Sequence, residues 1–283
     1  MITADSILKV RALTQSWKKQ ELSIGFVPTM GYLHDGHSSL VNRARRENDK
    51  VVVSIFVNPT QFGPNEDFEK YPKNLAGDRE SCERAGVDLL FAPSVTEMYP
   101  SPNFAFVDIT DLDEDLCGAK RPGHFQGVCT IVAKLFNIVM PDRAYFGEKD
   151  GQQLAIIDRM TKDLSYGIQI VPCPTVRDRD GLALSSRNSY LSKEERRAAR
   201  VIPESLELAR KALNNGATDA STIKGIISEK IQTEPLAAID YIEVVDSSLL
   251  KPITRIDKPV LVAVAVFIGA TRLIDNFSFK VGS

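Results

Sequence analysis

The sequence predicts an α/β chain: a parallel sheet layered with helices, followed by a smaller α+β region. Three observations carry that expectation. Apolar runs at 24–27, 49–57, 88–92, 143–146 and 168–171 are mostly continuous rather than alternating, and helical patterns separate several of them. That is how strands covered on both faces of a parallel sheet read. Glycine-bearing turns follow the strands at 24–27 and 143–146, and each leads into a helix start. Beyond the Pro- and charge-rich stretch 172–181 the order changes: amphipathic helices over 193–214 and 218–230 precede strands over 240–245 and 260–268, with a third beginning at Leu273. The expected division is therefore 1–175 and 176–283.

Composition narrows the function classes. The chain has 283 residues, 43% hydrophobic and 25% charged, with a net charge of -2. No global field favours nucleic acid or a membrane surface, so a polyanionic ligand needs a local basic cluster. Cys82, Cys117, Cys129 and Cys173 have no paired spacing, which suggests reduced thiols in the cytoplasm. Segment 1–20 is amphipathic and charged, unlike a signal peptide, and the apolar stretch 259–270 is too short to span a bilayer.

In chain order, Ile7, Leu8, Val10, Leu13 and Trp17 set a helix over 4–19 with one buried face. The strand at 24–27 runs into Pro28-Thr29-Met30-Gly31-Tyr32-Leu33-His34-Asp35-Gly36-His37 and a helix over 38–46. A helix N-terminus offers unpaired N–H groups and partial positive charge, and Gly31 and Gly36 let the backbone approach an anion. His34 and His37 are three apart, so both imidazoles can face one ligand. Zinc is the competing use of such a pair, but no Cys-x-x-Cys or third nearby histidine supports it. The strand at 49–57 ends in Asn58-Pro59-Thr60-Gln61-Phe62-Gly63. Ligands of open α/β sheets sit at the carboxyl ends of strands, which puts Asn58 and Gln61 on the histidines' rim unless they only cap a loop.

A surface loop over 62–73 precedes a helix over 74–86, a strand over 88–92, a Pro-bounded turn over 95–102 and a candidate strand over 104–109. Segment 117–128 reads as a shaped loop leading to an apolar helix over 130–139. Within it Arg121 has a fork suited to phosphate or carboxylate, or is a surface arginine, and His124 reads as a packed polar residue. The strand at 143–146 ends in Gly147-Glu148-Lys149-Asp150-Gly151-Gln152-Gln153, ahead of a helix over 154–163. Lys149 is placed to meet a phosphate, and Gln153 lies on the first turn. Leu184-Ser185-Ser186-Arg187-Asn188 offers two hydroxyls and a guanidinium to a polyphosphate and, as a mobile loop, closure over it. The bland alternative is the lead-in to a helix capped by Ser192 and Glu195.

Taken together, these segments resemble the pantoate–β-alanine ligase family. The resemblance rests on Pro28-Thr29-Met30-Gly31 with His34-Asp35-Gly36-His37, Phe56-Val57-Asn58-Pro59 with Gln61-Phe62, Arg121-Pro122-Gly123-His124-Phe125, Gly147-Glu148-Lys149-Asp150 with Gln152-Gln153, Leu184-Ser185-Ser186-Arg187-Asn188, and Thr271-Arg272-Leu273-Ile274-Asp275-Asn276. Each motif is weak alone; in order and nearly end to end they are specific. Cys129, where a hydroxyl residue is common, and Gly151, where larger residues often occur, depart from the pattern, and Gly151 is expected to loosen its turn.

The resemblance implies a Rossmann-like domain of the class I aminoacyl-tRNA synthetase type. His-Asp-Gly-His looks like that superfamily's His-x-Gly-His signature, and Ser-Ser-Arg is similar in role to its second signature. It implies that ATP and pantoate form pantoyl adenylate and pyrophosphate, and that β-alanine then displaces AMP to give pantothenate. By resemblance the catalytic groups are His34, His37, Lys149 and Arg187, with His37 nearest the transition state. Ser185 and Ser186 help to neutralise the phosphates. Met30, Gly31, Gly147, Asp150, Val176 and Leu184 complete the nucleotide site. Gln61 and Gln153 hold pantoate, with Asn58 and Arg121 as helpers. Mg²⁺ bridges the phosphates; its protein ligand is not assigned, and Asp78 is the one candidate. No base for the β-alanine amine is evident. A cytoplasmic homodimer is implied. Two rivals are an adenylyltransferase with a phosphate acceptor, which would not need Gln61 and Gln153, and a catalytically silent nucleotide-binding regulator.

Overall fold

The computed structural model describes residues 1–64 and 66–281, so the last two positions of the expected C-terminal domain lie outside the described residues. The chain groups into two compact units. The first takes Met1–Ile109, Arg121–Gly147 and Ile156–Cys173; the second takes Thr110–Lys120, Glu148–Ala155 and the chain from Pro174 onward.

The first unit is built on β1 (Ile2–Ala4), β2 (Ile24–Thr29), β3 (Lys50–Ile55), β4 (Leu89–Phe91), β5 (Arg143–Gly147) and β6 (Gln169–Cys173). They form one parallel sheet in the order β1-β4-β3-β2-β5-β6. This is the expected Rossmann-like sheet. Strand β2 lies between β3 and β5, where the direction of sheet growth reverses, so the turn after β2 opens at the switch point where such sheets bind ligands. Around the sheet lie α1 (Ile7–Lys19), α2 (Asp35–Glu47), α3 (Leu75–Arg84) and α4 (Val95–Met98). Next come α5 (Leu116–Lys120), which belongs to the second unit, and α6 (His124–Val139).

Several elements differ from the sequence expectation for identifiable reasons. β1 is too short to show a period and is set by pairing with β4, Ile2 against Leu89. α2 begins at Asp35 rather than 38 because His34 caps it. α6 begins at His124 because Gly123, at φ 79, supplies a left-handed entry. Segment 104–109 forms no strand; its Val107 N–H donates instead to Thr130 Oγ1 at 3.0 Å. Gly25, inside β2, faces a buried network in which Asn48 Nδ2 donates to Tyr145 Oη at 2.7 Å and that hydroxyl donates to Glu47. A Cβ on Gly25 would come within 2.5 Å of the Asn48 amide. Burial pushes the Tyr145 hydroxyl up to about 12.

The second unit centres on β7 (Ala237–Asp246), β8 (Val260–Ile268) and β9 (Thr271–Phe279), an antiparallel sheet with β8 in the middle. Beyond α7 (Gly151–Asp163) follow α8 (Lys193–Ala198), α9 (Val201–Asn214) and α10 (Ala220–Ile231). The single helix expected over 193–214 is two, since Pro203 cannot continue a helix through the carbonyl of Ala199. Ile202, Leu206, Ile223 and Ile227 join Val262, Val264 and Val266 in one core. The short segment 110–120 is tied in by buried Gln152. Its Oε1 accepts from Cys117 N at 2.8 Å, and its Nε2 donates to the carbonyls of Leu112 and Asp115.

Candidate active site

The histidine turn of the first unit is a strained loop held by a buried carboxylate. Gly31 and Tyr32 both take left-handed backbone, φ 85 and 52. A side chain tolerates that only where the surroundings fix it. Asp78, on the first turn of α3 and 3% exposed, does so: its two oxygens accept the N–H groups of Tyr32 at 2.8 Å and Leu33 at 2.7 Å. Asp78 thus shapes the turn, which is the role the structure gives to the carboxylate weighed as a metal ligand. A Cβ on Gly31 would reach 3.0 Å from Asp78 Oδ2.

His34 and His37 then cap α2 reciprocally. His34 Nδ1 accepts from Gly36 N at 3.2 Å, and His37 Nδ1 accepts from His34 N at 3.3 Å. The rings lie 4.1 Å apart. With both Nδ1 atoms accepting, each neutral ring carries its proton on Nε2, assigned from these partners. The pair therefore consists of two Nε2–H donors beside a helix N-terminus, which suits a developing negative charge on phosphate.

On the rim after β3, a short helical turn Pro59–Gln61 carries the amides. Asn58 is 1% exposed and fully engaged: Nδ2 donates to Gln61 Oε1 at 3.2 Å and to Gly127 O at 3.1 Å, and Oδ1 accepts from Thr60 and Tyr99. Gln61 Nε2 in turn lies 3.2 Å from Met30 Sδ. Asn58 is thus positioned to orient Gln61. Gly127 makes this possible, for a Cβ there would come 2.5 Å from Thr60 O and 2.7 Å from Gln61 N, both backbone.

Arg121, expected as an anion contact, has its donors engaged within the protein. Nε donates to Glu66 Oε1 at 2.7 Å, Nη2 reaches Glu66 Oε2 and Gln61 O, and Nη1 donates to His124 Nε2 at 2.9 Å. His124 Nδ1 then donates to the Gln61 carbonyl at 2.8 Å. Since a carbonyl only accepts and guanidinium only donates, this fixes the His124 tautomer. The packed polar histidine of the sequence reading is a brace for Gln61.

In the second unit, Lys149 lies in the turn Glu148–Asp150, its ammonium 3.4 Å from Asp150 Oδ1. Gln153 is half-buried on the first turn of α7. Val176 and Leu184 are partners, Leu184 N donating to Val176 O at 3.0 Å across a hairpin with Gly181 at its tip. Ser185 caps the next turn, Ser186–Tyr190, accepting from Arg187 N at 3.3 Å. The Ser192–Glu195 capping box is present as well. Beside Gly151, expected to loosen its turn, lies the amide of Asn276, which donates to Lys149 O at 2.6 Å. A separate open pocket of about 540 Å³ in this unit is lined by Arg177, Arg210, Lys211, Lys230 and Phe277 among others. It includes none of the predicted residues, and Glu207, Glu204 and Asp275 pair with its Lys211, Lys230 and Arg177.

Sequence alone does not mark Glu66 or Tyr99, nor the turn-holding role of Asp78 or the pairing of Asp275 with Arg177. All lie far in sequence from the groups they hold, and no local spacing marks them.

The model of the family described as pantoate-β-alanine ligase matches residues 2–278. The chain belongs to the pantoate–β-alanine ligase family. A pantothenate synthetase of Enterococcus faecalis is 58% identical over 99% of each chain. One from Clostridium botulinum is 54% identical over 99% of this chain and all of its own. Among solved structures, a Thermus thermophilus pantothenate synthetase superposes with a TM-score of 0.92 at 46% identity, covering 98% of this chain and 99% of its own. The Francisella tularensis pantoate-β-alanine ligase, solved with β-γ ATP and β-alanine, gives 0.80 at 38% identity, covering 98% of this chain and 97% of its own. A ligase of this family is an enzyme of pantothenate formation, which sets aside the phosphate-acceptor adenylyltransferase and the silent regulator.

Glu66 makes the brace pH-dependent. Desolvation raises its pKa, but the hydrogen bond and charge of Arg121 outweigh that and hold it below the usual glutamate value of 4.5. A depressed folded pKa adds stability above the unfolded value and loses it as pH falls through the folded one. The stability gap between wild type and Glu66→Gln should therefore be full at pH 7 and shrink below about pH 4.5, as read by urea unfolding. A gap constant down to pH 3 would show that the ion pair is not what Glu66 contributes.

Proposed function

We propose that this ligase joins pantoate to β-alanine through a pantoyl adenylate, with the roles divided as follows. Residues 1–175 supply the histidine turn and the Gln61 rim, and 176–283 the Ser-Ser-Arg loop. A carboxylate is a poor acyl electrophile and repels ATP, so the enzyme must hold two anions and stabilise added charge at the α-phosphate. The observation that carries the reading is the paired cap of His34 and His37, which turns two imidazoles into Nε2–H donors. We assign them to the α-phosphate, His37 nearest the transition state.

Lys149, Ser185, Ser186 and Arg187 neutralise the outer phosphates. Met30, Gly31, Gly147, Asp150, Val176 and Leu184 surround the nucleotide. Gln61 and Gln153 bind pantoate, while Asn58 and Arg121 act through Gln61 rather than on the acid. Magnesium on the ATP phosphates would supply further charge neutralisation there, and no protein ligand for it is assigned. β-Alanine attacks the mixed anhydride and AMP leaves with the former carboxylate oxygen; proximity to a reactive acyl group is the main requirement of this step.

The family resemblance also implies a cytoplasmic homodimer. Phe104, 89% exposed, and Phe106 offer an apolar surface for it on the first unit.

His37→Ala should lower turnover by about 10²–10³ in a folded protein, the usual loss of a preorganised transition-state donor; a near-wild-type rate would remove it from that role. Gln153→Ala should raise the pantoate KM much more than the ATP KM in steady-state assays, and equal rises would contradict the pantoate assignment. Sedimentation should give a dimer that Phe104→Asp weakens; a wild-type monomer at micromolar concentration would rule the homodimer out.

A further inference from the structure

We infer that Asp275 and Asn276, adjacent on β9, are a shared anchor that positions both phosphate-binding loops of the second unit. The inference rests on the assignment of Lys149, Ser185, Ser186 and Arg187 to phosphate, and says what sets their geometry.

Strand β9 packs against both helical turns that carry those groups, Glu148–Asp150 and Ser186–Tyr190. Asn276 bonds the first turn directly, and Asp275 holds the hairpin that leads into the second. Asn276 Nδ2 donates to Lys149 O at 2.6 Å, and its amide lies beside Gly151, where a Cβ would stand 3.2 Å from Asn276 Oδ1. That bond holds the backbone of the residue whose ammonium meets the nucleotide. Asp275, 2% exposed, receives the fork of Arg177 in bidentate fashion, Nη1 to Oδ2 at 2.6 Å and Nη2 to Oδ1 at 2.9 Å. Arg177 stands at the base of the hairpin that leads into Ser185, and its Nη1 also spans the hairpin to Gly181 O. The far side of that hairpin is held by Arg196 of α8, which donates to Asp178 and Asp180.

The two anchors are coupled. Asp275 Oδ1 accepts the backbone N–H of Asn276 at 2.8 Å, so the carboxylate that holds Arg177 also fixes the backbone beside it. Pairing of Val264 with Asp275 and Ala263 with Asn276 ties both to the central strand β8. A polyphosphate needs its donors at fixed mutual spacing, and two loops far apart in sequence get that spacing here from one dipeptide. Neither residue need touch the nucleotide; both are positioning residues. A bidentate Arg–carboxylate pair restrains orientation as well as distance, which a lysine in place of Arg177 would not reproduce.

The test is equilibrium binding of ATP and of adenosine, without pantoate so that no chemistry follows. The proteins are wild type, Asn276→Ala, Asp275→Asn, Arg177→Lys, Lys149→Ala, Ser186→Ala, and the double variants Asn276→Ala/Lys149→Ala and Asp275→Asn/Ser186→Ala. Asn276→Ala and Asp275→Asn should each weaken ATP roughly tenfold, the loss expected for one well-made hydrogen bond, and leave adenosine within about twofold. Each should cost ATP little more once its loop residue is already removed, because the effects act through the same group. If the buried pair does not tolerate Asp275→Asn, Arg177→Lys takes its place, and Asn276→Ala decides the Lys149 branch by itself. Equal loss of ATP and adenosine, or full additivity in the double variants, overturns the anchor while leaving the phosphate assignment standing. Lys149→Ala and Ser186→Ala that bind ATP as wild type does would overturn the phosphate assignment, and the anchor with it.

Discussion

The buried carboxylate of Asp78 is the interaction on which the histidine site depends. Two consecutive left-handed residues, one of them Tyr32, have no intrinsic reason to persist, and each sparsely populated conformation of this kind costs of order 1–3 kcal/mol. Two short charge-assisted bonds to adjacent N–H groups offset that cost in the folded state. Once the turn is fixed, α2 starts at Asp35, the reciprocal cap forms, and the protons of both imidazoles are directed to Nε2. The chemistry of the pair is thus decided by a residue on another helix, more than forty positions along the chain.

A similar logic recurs at the Gln61 rim. Gln61 is the group proposed to touch substrate, but Asn58, Arg121 and His124 each bond to it. Glu66 completes the set by holding Arg121 and keeping it from solvent or ligand. Asn58 holds the Gln61 side-chain amide, while Arg121 and His124 hold its backbone carbonyl, so both the residue and its side chain are fixed. Arg121 illustrates the difference between a residue's chemistry and its use: a fork suited to a substrate anion is occupied by a carboxylate of the protein itself.

Much of this was legible in the sequence. Continuous apolar runs reveal a parallel sheet because strands covered on both faces have no polar side, and glycine turns before helices mark the phosphate-type loops. Short elements were not legible: β1 and α4 have too few residues for a period, and the break between α8 and α9 was marked only by Pro203 within an otherwise amphipathic pattern. The segment over 104–109 carries strand-like residues but has no partner strand among the described residues, so propensity alone misled. The candidate site residues were read from contiguous motifs, whereas Glu66 and the positioning parts of Asp78 and Asp275 were not legible, because those parts lie in contacts that only the fold creates.

The close approach at Gly127 has a consequence for redesign of the Gln61 rim, the proposed acid site. Helix α6 runs so near the backbone of Thr60 and Gln61 that even a methyl group would collide with main-chain atoms, which cannot swing aside as a side chain would. Libraries aimed at a different hydroxy acid gain nothing by randomising that position. Bulk added there pushes on the main chain that carries the Gln61 amide.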